Sequence, residues 1–386
     1  MEKIKIGIFG LWRGMEYVRQ FHNLPDTEVC AVFDKDEEKV KEAVKLCGPE
    51  LKVCASYEEL LNSGIDAVML CNYFHQHAPA AIQAMEHGID VLSECTAGST
   101  LRECVELVEA VERTGRKYML AENYPFSRPM REITKIVKEG SLGRILYAEG
   151  EYNHNAPRAD LLALTPGKYH WRAYLPRTYY CTHALGPLMY ATGEMPVSVS
   201  AYAVHSHVLA EFADVRHNCD AIGMMNCITD DGALFRFTGC TAMASRSGYR
   251  IVGENGSAET GRAAGDQVYL TYQPWLLPEG KSVSQLYAPT VEEPANGAGH
   301  GGGDYFVAKH FVSYLKGEEE AFFNVYRSVA MSAVGILGWR SCLENGKPYA
   351  IPDFRDPAQR AAVRDDVLTP FPDENGNTTL PSALPY

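Results

Sequence analysis

The sequence predicts an α/β chain of two domains, in which a doubly wound parallel sheet is followed by an α+β domain with an open, mostly antiparallel sheet. Two observations predict this architecture. In the first third of the chain, short apolar runs alternate with amphipathic segments, as they do in repeated β-α units. From about residue 145 onwards, several runs alternate apolar and polar residues, as antiparallel strands do. We place the two domains at residues 1–124 and 125–386.

The first domain opens on an apolar run at residues 3–10 that ends on a glycine and leads into a helix. The predicted strands then span residues 29–33, 67–71, 91–92 and 118–120, and the predicted helices span 13–21, 37–46, 78–87 and 102–114, with another helix opening at Ser56. This alternation implies a parallel sheet with right-handed crossovers, whose ligands bind at its carboxyl edge. The loops 71–73, 93–96 and 122–124 leave that edge, so chemistry is expected there.

The second domain begins with a helix at 130–138 and a strand at 145–152. Four alternating runs follow, at 197–204, 221–228, 233–238 and 249–253. Residues 261–303 are rich in glycine and proline and predict a long loop. Helices are predicted at 305–315 and 325–343, and the chain after Asp353 is predicted to be an extended strap.

The glycine turn after the first strand, together with the end of the second strand, predicts a dinucleotide site. The first-turn N–H groups of a helix have no internal partner, and the helix dipole favours an anion there. Trp12 stands where a G-x-G-x-x-G turn has its second glycine. Either its ring turns away from the pyrophosphate, or the turn is one residue shorter and Arg13 and Gly14 approach the phosphates. An ordinary βα turn is the alternative.

Asp34 ends the second strand at the position of the acid that accepts hydrogen bonds from an adenosine ribose. Its carboxylate would repel a ribose 2′-phosphate, so NAD is predicted rather than NADP. Lys35 beside it weakens that discrimination.

Composition and charge exclude several classes of function. The chain has 386 residues, and its 36 basic and 49 acidic side chains give a formal charge of −13, so a nucleic acid or an anionic membrane is not expected as a partner. No apolar run reaches the roughly 18 residues of a membrane span, and a strand at residue 3 leaves no room for a signal peptide. The eleven scattered cysteines form no CxxC pair and predict reduced thiols. A cytoplasmic location is expected.

Several motifs follow one another in a characteristic order. They are the turn at 7–14, the loop 72–77 before APAAIQAMEHGIDVLSE, Glu94, EGSLGRILYAEGEY, Trp171-Arg172, the helix start at His183 and RIVGENGSAE at 250–259. This order resembles the Gfo/Idh/MocA oxidoreductase family over nearly the whole chain. The resemblance implies a Rossmann domain, an antiparallel sheet that backs a site for a small carbohydrate, and a homo-oligomer built through that sheet.

The resemblance and the loops at the carboxyl edge together imply which residues bind the cofactor. They are Gly10, Leu11, Trp12, Arg13, Gly14, Asp34, Lys35, Asn72, His77, Glu94, Asn123, Trp171 and Arg172.

The expected catalytic positions depart from the common dehydrogenase pattern. Glu94 stands in the place of the family's E-K-P, but Cys95 replaces its lysine, and Tyr179 stands where an aspartate precedes the helix histidine by four residues. Residues 180–187 instead resemble the Y-x-T-H-x-L-G-P signature of the NAD-dependent α-N-acetylgalactosaminidases. Residues 150–154 resemble that branch's G-x-Y-x-H, and residues 300–304 its H-G-G-x-D. The segment between Tyr152 and Trp171 is shorter here, so the identity of the substrate does not carry over.

This branch cleaves glycosides by transient oxidation, which needs several proton carriers near neutral pKa, a task that His and Tyr can perform. The predicted catalytic set is Tyr152, His154, Tyr180, His183 and His300. NAD is expected to be tightly bound, since it ends each cycle as it began. No metal is predicted, because neither Cys181 with His183 nor His154 with His170 has a recognised ligand spacing.

Three functions stay open from the sequence. The first is a redox-neutral glycosidase or lyase, the second a net NAD-dependent sugar or cyclitol dehydrogenase, and the third a non-catalytic sensor. Each nominated side chain also has a structural alternative: Tyr152 and His154 in a hydrogen-bonded interface, His183 in helix capping or core packing, His300 in a solvated loop. Tyr179 and Tyr180 are adjacent, so only one of them is expected to face the site.

Overall fold

The computed structural model describes residues 3–154, 163–165, 167, 169–207, 218, 220–239, 246–261, 266–292 and 298–384. The chain divides into two compact units. The first comprises Met1–Asn123, Pro294–Val329 and Arg360–Asp365, and the second comprises Tyr124–Glu293, Ala330–Gln359 and Asp366–Tyr386. The main boundary lies one residue from the predicted one. Segments 294–329 and 360–365, however, cluster with the first unit, which differs from the two contiguous domains drawn from the sequence.

The first unit contains a six-stranded parallel sheet with the strand order β3-β2-β1-β4-β5-β6. The strands are β1 (Ile4–Phe9), β2 (Thr27–Phe33), β3 (Lys52–Val53), β4 (Ala67–Leu70), β5 (Asp90–Ser93) and β6 (Tyr118–Leu120). The helices between them are α1 (Leu11–Asn23), α2 (Glu37–Cys47), α3 (Tyr57–Leu61), α4 (His77–Glu86) and α5 (Leu101–Thr114). The strand order reverses between β1 and β4, which is where a doubly wound fold binds its ligand. The predicted parallel fold is confirmed.

Local signals explain where these helices begin. Asp36 accepts hydrogen bonds from the backbone of Glu38 and Lys39, and the Ser56 hydroxyl accepts one from Glu59 at 3.1 Å. Such caps satisfy N–H groups that the helix itself leaves unpaired. The two exposed residues of β3 were not predicted, because a strand this short has no periodicity to detect.

The second unit contains a nine-stranded sheet with the strand order β14-β13-β12-β11-β7-β10-β9-β8-β15. Its strands are β7 (Ile145–Asn153), β8 (Pro196–His205), β9 (Asp220–Thr229), β10 (Leu234–Thr238), β11 (Arg246–Gly253), β12 (Gly256–Thr260), β13 (Val268–Tyr272), β14 (Ser284–Tyr287) and β15 (Tyr349–Ala350). In the described part of the chain, β7 and β10 run parallel and the other neighbouring pairs antiparallel. The mostly antiparallel sheet is therefore confirmed.

The remaining helices are α6 (Arg128–Lys138), α7 (Trp171–Tyr174), α8 (Thr182–Thr192), α9 (Gly303–Lys316), α10 (Val325–Leu343) and α11 (Pro357–Val363). Helix α8 packs against both β7 and α6. None of the helices described is both long and apolar enough to cross a membrane. The nine cysteines among the described residues are free thiols.

Two predictions about the second half of the chain were wrong. Residues 261–303 are not one long loop, since β13 and β14 lie within them and continue the ladder that begins at β11. These short strands form because a partner strand is already present, which glycine and proline content does not reveal. The chain after Asp353 is not simply extended, because α11 lies there. Asp356 accepts a hydrogen bond from the backbone of Ala358 at 2.9 Å, and Pro357 opens the helix.

Candidate active site

The turn between β1 and α1 can close only because residue 10 is glycine. Gly10 has a φ of +88°, and a Cβ built on it would lie 2.4 Å from the carbonyl oxygen of Cys71. Its N–H donates to the carbonyl of Phe33 at 2.9 Å. The N–H of Leu11 donates to the Asp34 carboxylate. The end of β2 therefore brings Asp34 to the N-terminus of α1, and its contact with a ribose stays a prediction.

The next two residues of the turn point in different directions. Trp12 is 63% exposed. The Arg13 guanidinium is bound by two carboxylates, with Nε 2.9 Å from Glu94 and Nη2 2.5 Å from Asp304. The Arg13 guanidinium therefore pairs with acidic side chains in this structure. Its approach to the phosphates, one of the two alternatives for this turn, stays a prediction. Lys35 is exposed.

At the carboxyl edge of the sheet, two asparagines present unused acceptors. The Oδ1 atoms of Asn72 and Asn123 are buried and accept no hydrogen bond from the described residues. Between the loops, the His77 ring lies 3.0 Å from the carbonyl oxygen of Thr96 and 3.2 Å from that of Asn72. Burial lowers the pKa of His77 to about 4 although both carbonyls favour the charged ring. Hydroxyl or amide donors of a nucleotide would satisfy the two asparagines, so these residues fit NAD.

Trp171 and Arg172 belong to the second unit. They lie on α7, where the Arg172 guanidinium is 4.5 Å from the centroid of the Trp171 ring. Trp171 is buried. Their assignment to the cofactor stays a prediction.

Four aromatic and imidazole rings meet in the second unit, next to the end of β7. The ring of His183 lies 4.7 Å from that of Tyr152, 5.1 Å from that of Tyr180 and 4.6 Å from that of Tyr124, measured between centroids. The Nε2 atom of His183 is 3.3 Å from the Tyr180 hydroxyl. The exposed ring of His154 lies 6.0 Å from Tyr152. The structure therefore brings together four of the five predicted catalytic residues.

Glycine at position 150 permits this cluster. A Cβ on Gly150 would lie 2.1 Å from the carbonyl oxygen of Ala184, so α8 packs directly on the β7 backbone. Tyr152 follows two residues later on the same face of the strand, and His183 precedes Ala184 in the first turn of α8. The Tyr249 hydroxyl donates to the His183 carbonyl at 2.6 Å. These contacts fix the backbone from which the rings of Tyr152 and His183 project.

Of the two adjacent tyrosines, Tyr180 faces His183. Tyr179 is 2% exposed and packs edge-on against Phe371 with 5.2 Å between centroids. Tyr124, which completes the cluster, was missing from the predicted set. Its signal was its place in the loop after β6, one of the three loops that leave the carboxyl edge.

His300 lies in the first unit, four residues before its partner Asp304. Its Nδ1 atom is 2.8 Å from Asp304 Oδ2, and Asp304 Oδ1 accepts a hydrogen bond from Asn123 Nδ2 at 2.7 Å. Burial alone would raise the pKa of Asp304, but the hydrogen bond with His300 and the charge of Arg13 hold that pKa well below its usual range. Sequence reasoning missed Asp304, although it is the last residue of the H-G-G-x-D motif.

The position expected to carry a lysine holds an uncharged group. Cys95 is buried, and its thiol donates to Glu122 Oε2 at 3.5 Å. In the part of the chain that the structure describes, no group of three or more His, Cys, Asp or Glu side chains could hold a metal ion.

Comparison with known families matches three segments of the chain. Residues 4–122 match the Gfo/Idh/MocA oxidoreductase family with an NAD-binding Rossmann fold, and residues 130–259 match a Gfo/Idh/MocA C-terminal domain. Residues 283–359 match the glycosyl hydrolase 109 C-terminal domain. The first unit is therefore an NAD-binding Rossmann domain, as predicted.

Two curated relatives are similar over most of their length. A glycosyl hydrolase family 109 protein of Shewanella pealeana is 26% identical over 92% of this chain and 86% of its own. An alpha-N-acetylgalactosaminidase of Shewanella oneidensis is 27% identical over 92% of this chain and 85% of its own.

Solved structures share the fold at low identity. A levoglucosan dehydrogenase in complex with NADH and L-sorbose has a TM-score of 0.75 at 16% identity and covers 92% of this chain and 100% of its own. An oxidoreductase from Agrobacterium radiobacter in complex with NAD+, L-tartaric acid and magnesium has a TM-score of 0.73 at 12% identity, over 90% of this chain and 98% of its own.

Proposed function

Since the chain belongs to the Gfo/Idh/MocA oxidoreductase family, we propose that it is an NAD-dependent carbohydrate enzyme that cleaves glycosides by transient oxidation of the sugar ring. The observation that carries the proposal is the ring cluster of Tyr124, Tyr152, Tyr180 and His183. A cluster of phenols around an imidazole suits a reaction with several proton transfers.

The chemistry determines how many protons must move. The glycine turn and the carboxyl-edge loops would hold NAD, which would supply a hydride acceptor for the oxidation and a hydride donor for the final reduction. Oxidation at C3 requires a base for the C3 hydroxyl proton, and the resulting ketone acidifies the C2–H. Removal of that proton expels the aglycone from C1, and water then adds to the enone. The sum is glycoside plus water giving sugar plus aglycone, with no net oxidation.

We assign the proton transfers to the residues of the ring cluster and to His300. The 3.3 Å contact between His183 Nε2 and the Tyr180 hydroxyl permits a proton to pass between them. Tyr152 lies against the same imidazole and offers a further phenol. These side chains hold or move a proton at a phenolic oxygen or a ring nitrogen, whereas a net dehydrogenase of this family commonly uses a lysine.

Two departures from that common pattern support the proposal. The lysine position holds Cys95, a thiol that donates to Glu122, and the aspartate position holds Tyr179, which packs against Phe371. Neither side chain provides the charged acid and base of an ordinary dehydrogenase. The similarity to glycosyl hydrolase family 109 proteins at 26–27% identity points in the same direction.

The test is cleavage of aryl glycosides without added NAD. The panel spans α and β forms of glucose, galactose, glucuronate and the N-acetyl sugars. We expect aglycone release that exceeds the bound NAD many times, a flat NADH absorbance and deuterium from solvent at C2 of the product. An S-linked glycoside is expected to react nearly as fast as the O-linked one, because elimination depends little on protonating the leaving atom. Denaturing the purified protein is expected to release NAD.

The alternatives give different results in the same assay. Stoichiometric NADH formation with free sugars or cyclitols, and no aglycone release, would identify a net dehydrogenase. Binding of NAD and sugar without any turnover would identify a sensor. Either result contradicts the proposed glycosidase.

A further inference from the structure

The turn that carries His300 is built tightly onto the nucleotide-binding unit. A Cβ on Gly303 would lie 2.5 Å from the carbonyl oxygen of Asn123, and one on Gly299 would lie 2.7 Å from Asp304 Oδ2. The N–H of Gly299 also donates to Glu16 on α1 at 3.0 Å. His300 itself adopts a φ of +54°, a left-handed conformation that a non-glycine residue rarely takes. The surrounding contacts therefore hold the histidine in one place.

Asp304 determines which nitrogen of His300 carries the proton. Its carboxylate is ionised beside Arg13, so it can only accept a hydrogen bond. The Nδ1 atom of His300, 2.8 Å away, must then be the N–H donor. In the neutral ring Nε2 is consequently the nitrogen that carries no proton.

Arg13 and Asn123 hold Asp304 in this orientation. Arg13 contacts both oxygens, with Nη2 2.5 Å from Oδ1 and Nη1 3.2 Å from Oδ2, and Asn123 donates to Oδ1 at 2.7 Å. The side chain of Asp304 is fully buried, so it cannot rotate towards solvent. Among the described residues, the charged groups that these contacts bring near the histidine include Asp304, Arg13, Glu94 behind Arg13, and Glu16 at Gly299.

We propose that Asp304 is a positioning residue that fixes His300 as the Nδ1–H tautomer, with Nε2 as the nitrogen that accepts a proton, and that Arg13 holds Asp304 in place for this task. The inference rests on the proposed function, in which His300 is one of the proton carriers. It assigns a role to the last residue of the H-G-G-G-D segment and to the arginine of the nucleotide turn. Asp304 itself transfers no proton.

The chain offers an internal control at His310, which lies on α9 as Asp304 does. His310 also faces a carboxylate through Nδ1, at 2.6 Å from Glu319, and its exposure is close to that of His300. Glu319→Gln therefore removes a second histidine–carboxylate pair, with a more exposed carboxylate, that has no place in the proposed reaction. A purely electrostatic or structural effect of losing such a pair would appear in both variants.

The experiment measures the ring tautomers of the full-length protein labelled with 15N-histidine, by long-range 1H–15N NMR at alkaline pH. His300→Asn and His310→Asn identify the two sets of signals. We expect His300 to carry its proton on Nδ1 in the wild type, and Asp304→Asn to shift it towards Nε2 while His310 is unchanged. A wild-type His300 with its proton on Nε2 would overturn the proposal without any need for the variant. An unchanged tautomer in a folded Asp304→Asn protein would overturn it as well.

Kinetics provide the second readout. Asp304→Asn is expected to lower kcat by about 10²-fold, the size of a lost general acid–base contribution, while Glu319→Gln leaves kcat within twofold. Equal kcat values for the two variants would contradict the positioning role. If the tautomer is as proposed and no glycoside is cleaved by the wild type, the proposed function fails and the positioning of His300 by Asp304 stands.

Discussion

Replacing Gly150 by alanine tests how the ring cluster is held together. The new Cβ would lie 2.1 Å from the Ala184 carbonyl oxygen, and contacts under 3.0 Å are essentially never seen, so α8 and β7 must separate by about 1 Å. Overpacking of this kind costs about 1–3 kcal/mol of unfolding free energy, offset by the roughly 0.5–1 kcal/mol by which alanine is better than glycine in a strand. We expect a net destabilisation of about 1–2 kcal/mol.

The effect on turnover should be larger than the effect on stability. The displaced residue adjoins His183, and Gly150 lies two residues before Tyr152, so the separation changes the distance between two proton carriers. A misplacement of about 1 Å costs on the order of 10² in rate. We therefore expect Gly150→Ala to lower kcat about 100-fold and to leave NAD affinity unchanged, since the turn that binds the nucleotide belongs to the other unit.

Gly253→Ala is the matched control. A Cβ on Gly253 would lie 2.2 Å from the Leu142 carbonyl oxygen, an almost equal clash in the same sheet. Gly253 pairs with Ile145, at the end of β7 remote from Tyr152. Urea unfolding, kcat and NAD titration are measured for both variants. Equal losses of kcat in two equally folded variants would refute the argument that Gly150 sets the geometry of the cluster.

Three further substitutions test single residues. His183→Ala should lower kcat by on the order of 100-fold with unchanged NAD affinity, because it removes a proton carrier; unchanged turnover would make His183 structural. Asp34→Ala should weaken NAD binding more than NADP binding in fluorescence titrations, because a ribose acceptor is lost and the repulsion of a 2′-phosphate is relieved; a constant ratio of the two affinities would contradict that role. Since burial lowers the pKa of His77 to about 4 from roughly 6.5 in the unfolded chain, the unfolded state binds its proton first, and stability falls as the pH drops from 6.5 towards 4. Between pH 7 and 5, urea unfolding of the wild type should lose about 2 kcal/mol more than that of His77→Gln; equal losses would show that His77 is not the group responsible.

The candidate site was predictable where its signals are local. The strand, the glycine turn and Asp34 lie within a few tens of residues, and their geometry follows from backbone conformation and helix capping. The same holds for Tyr180 and His183, which are three residues apart and meet across one helical turn. Apolar runs between amphipathic segments predicted the first sheet, and alternation of polar and apolar residues predicted the second, because both patterns are local.

Other features depend on partners that no local pattern marks. Strands β12, β13 and β14 form on the ladder provided by β11, and residues 294–329 join the first unit although they follow most of the second in sequence. The sequence places Tyr124 in a loop that leaves the carboxyl edge of the parallel sheet. Its contact with His183, however, arises from packing between segments distant in the sequence.

The sequence by itself determined the two sheets, the NAD-binding turn and most of the residue types that the proposed chemistry needs, because periodicity, capping and glycine conformations act over short stretches of chain. Only the tertiary structure decided which of these residues are neighbours. Arg13 and Asp304 are 291 positions apart, and they pair because two oppositely charged side chains removed from water must satisfy one another. That pairing places His300 beside the nucleotide turn.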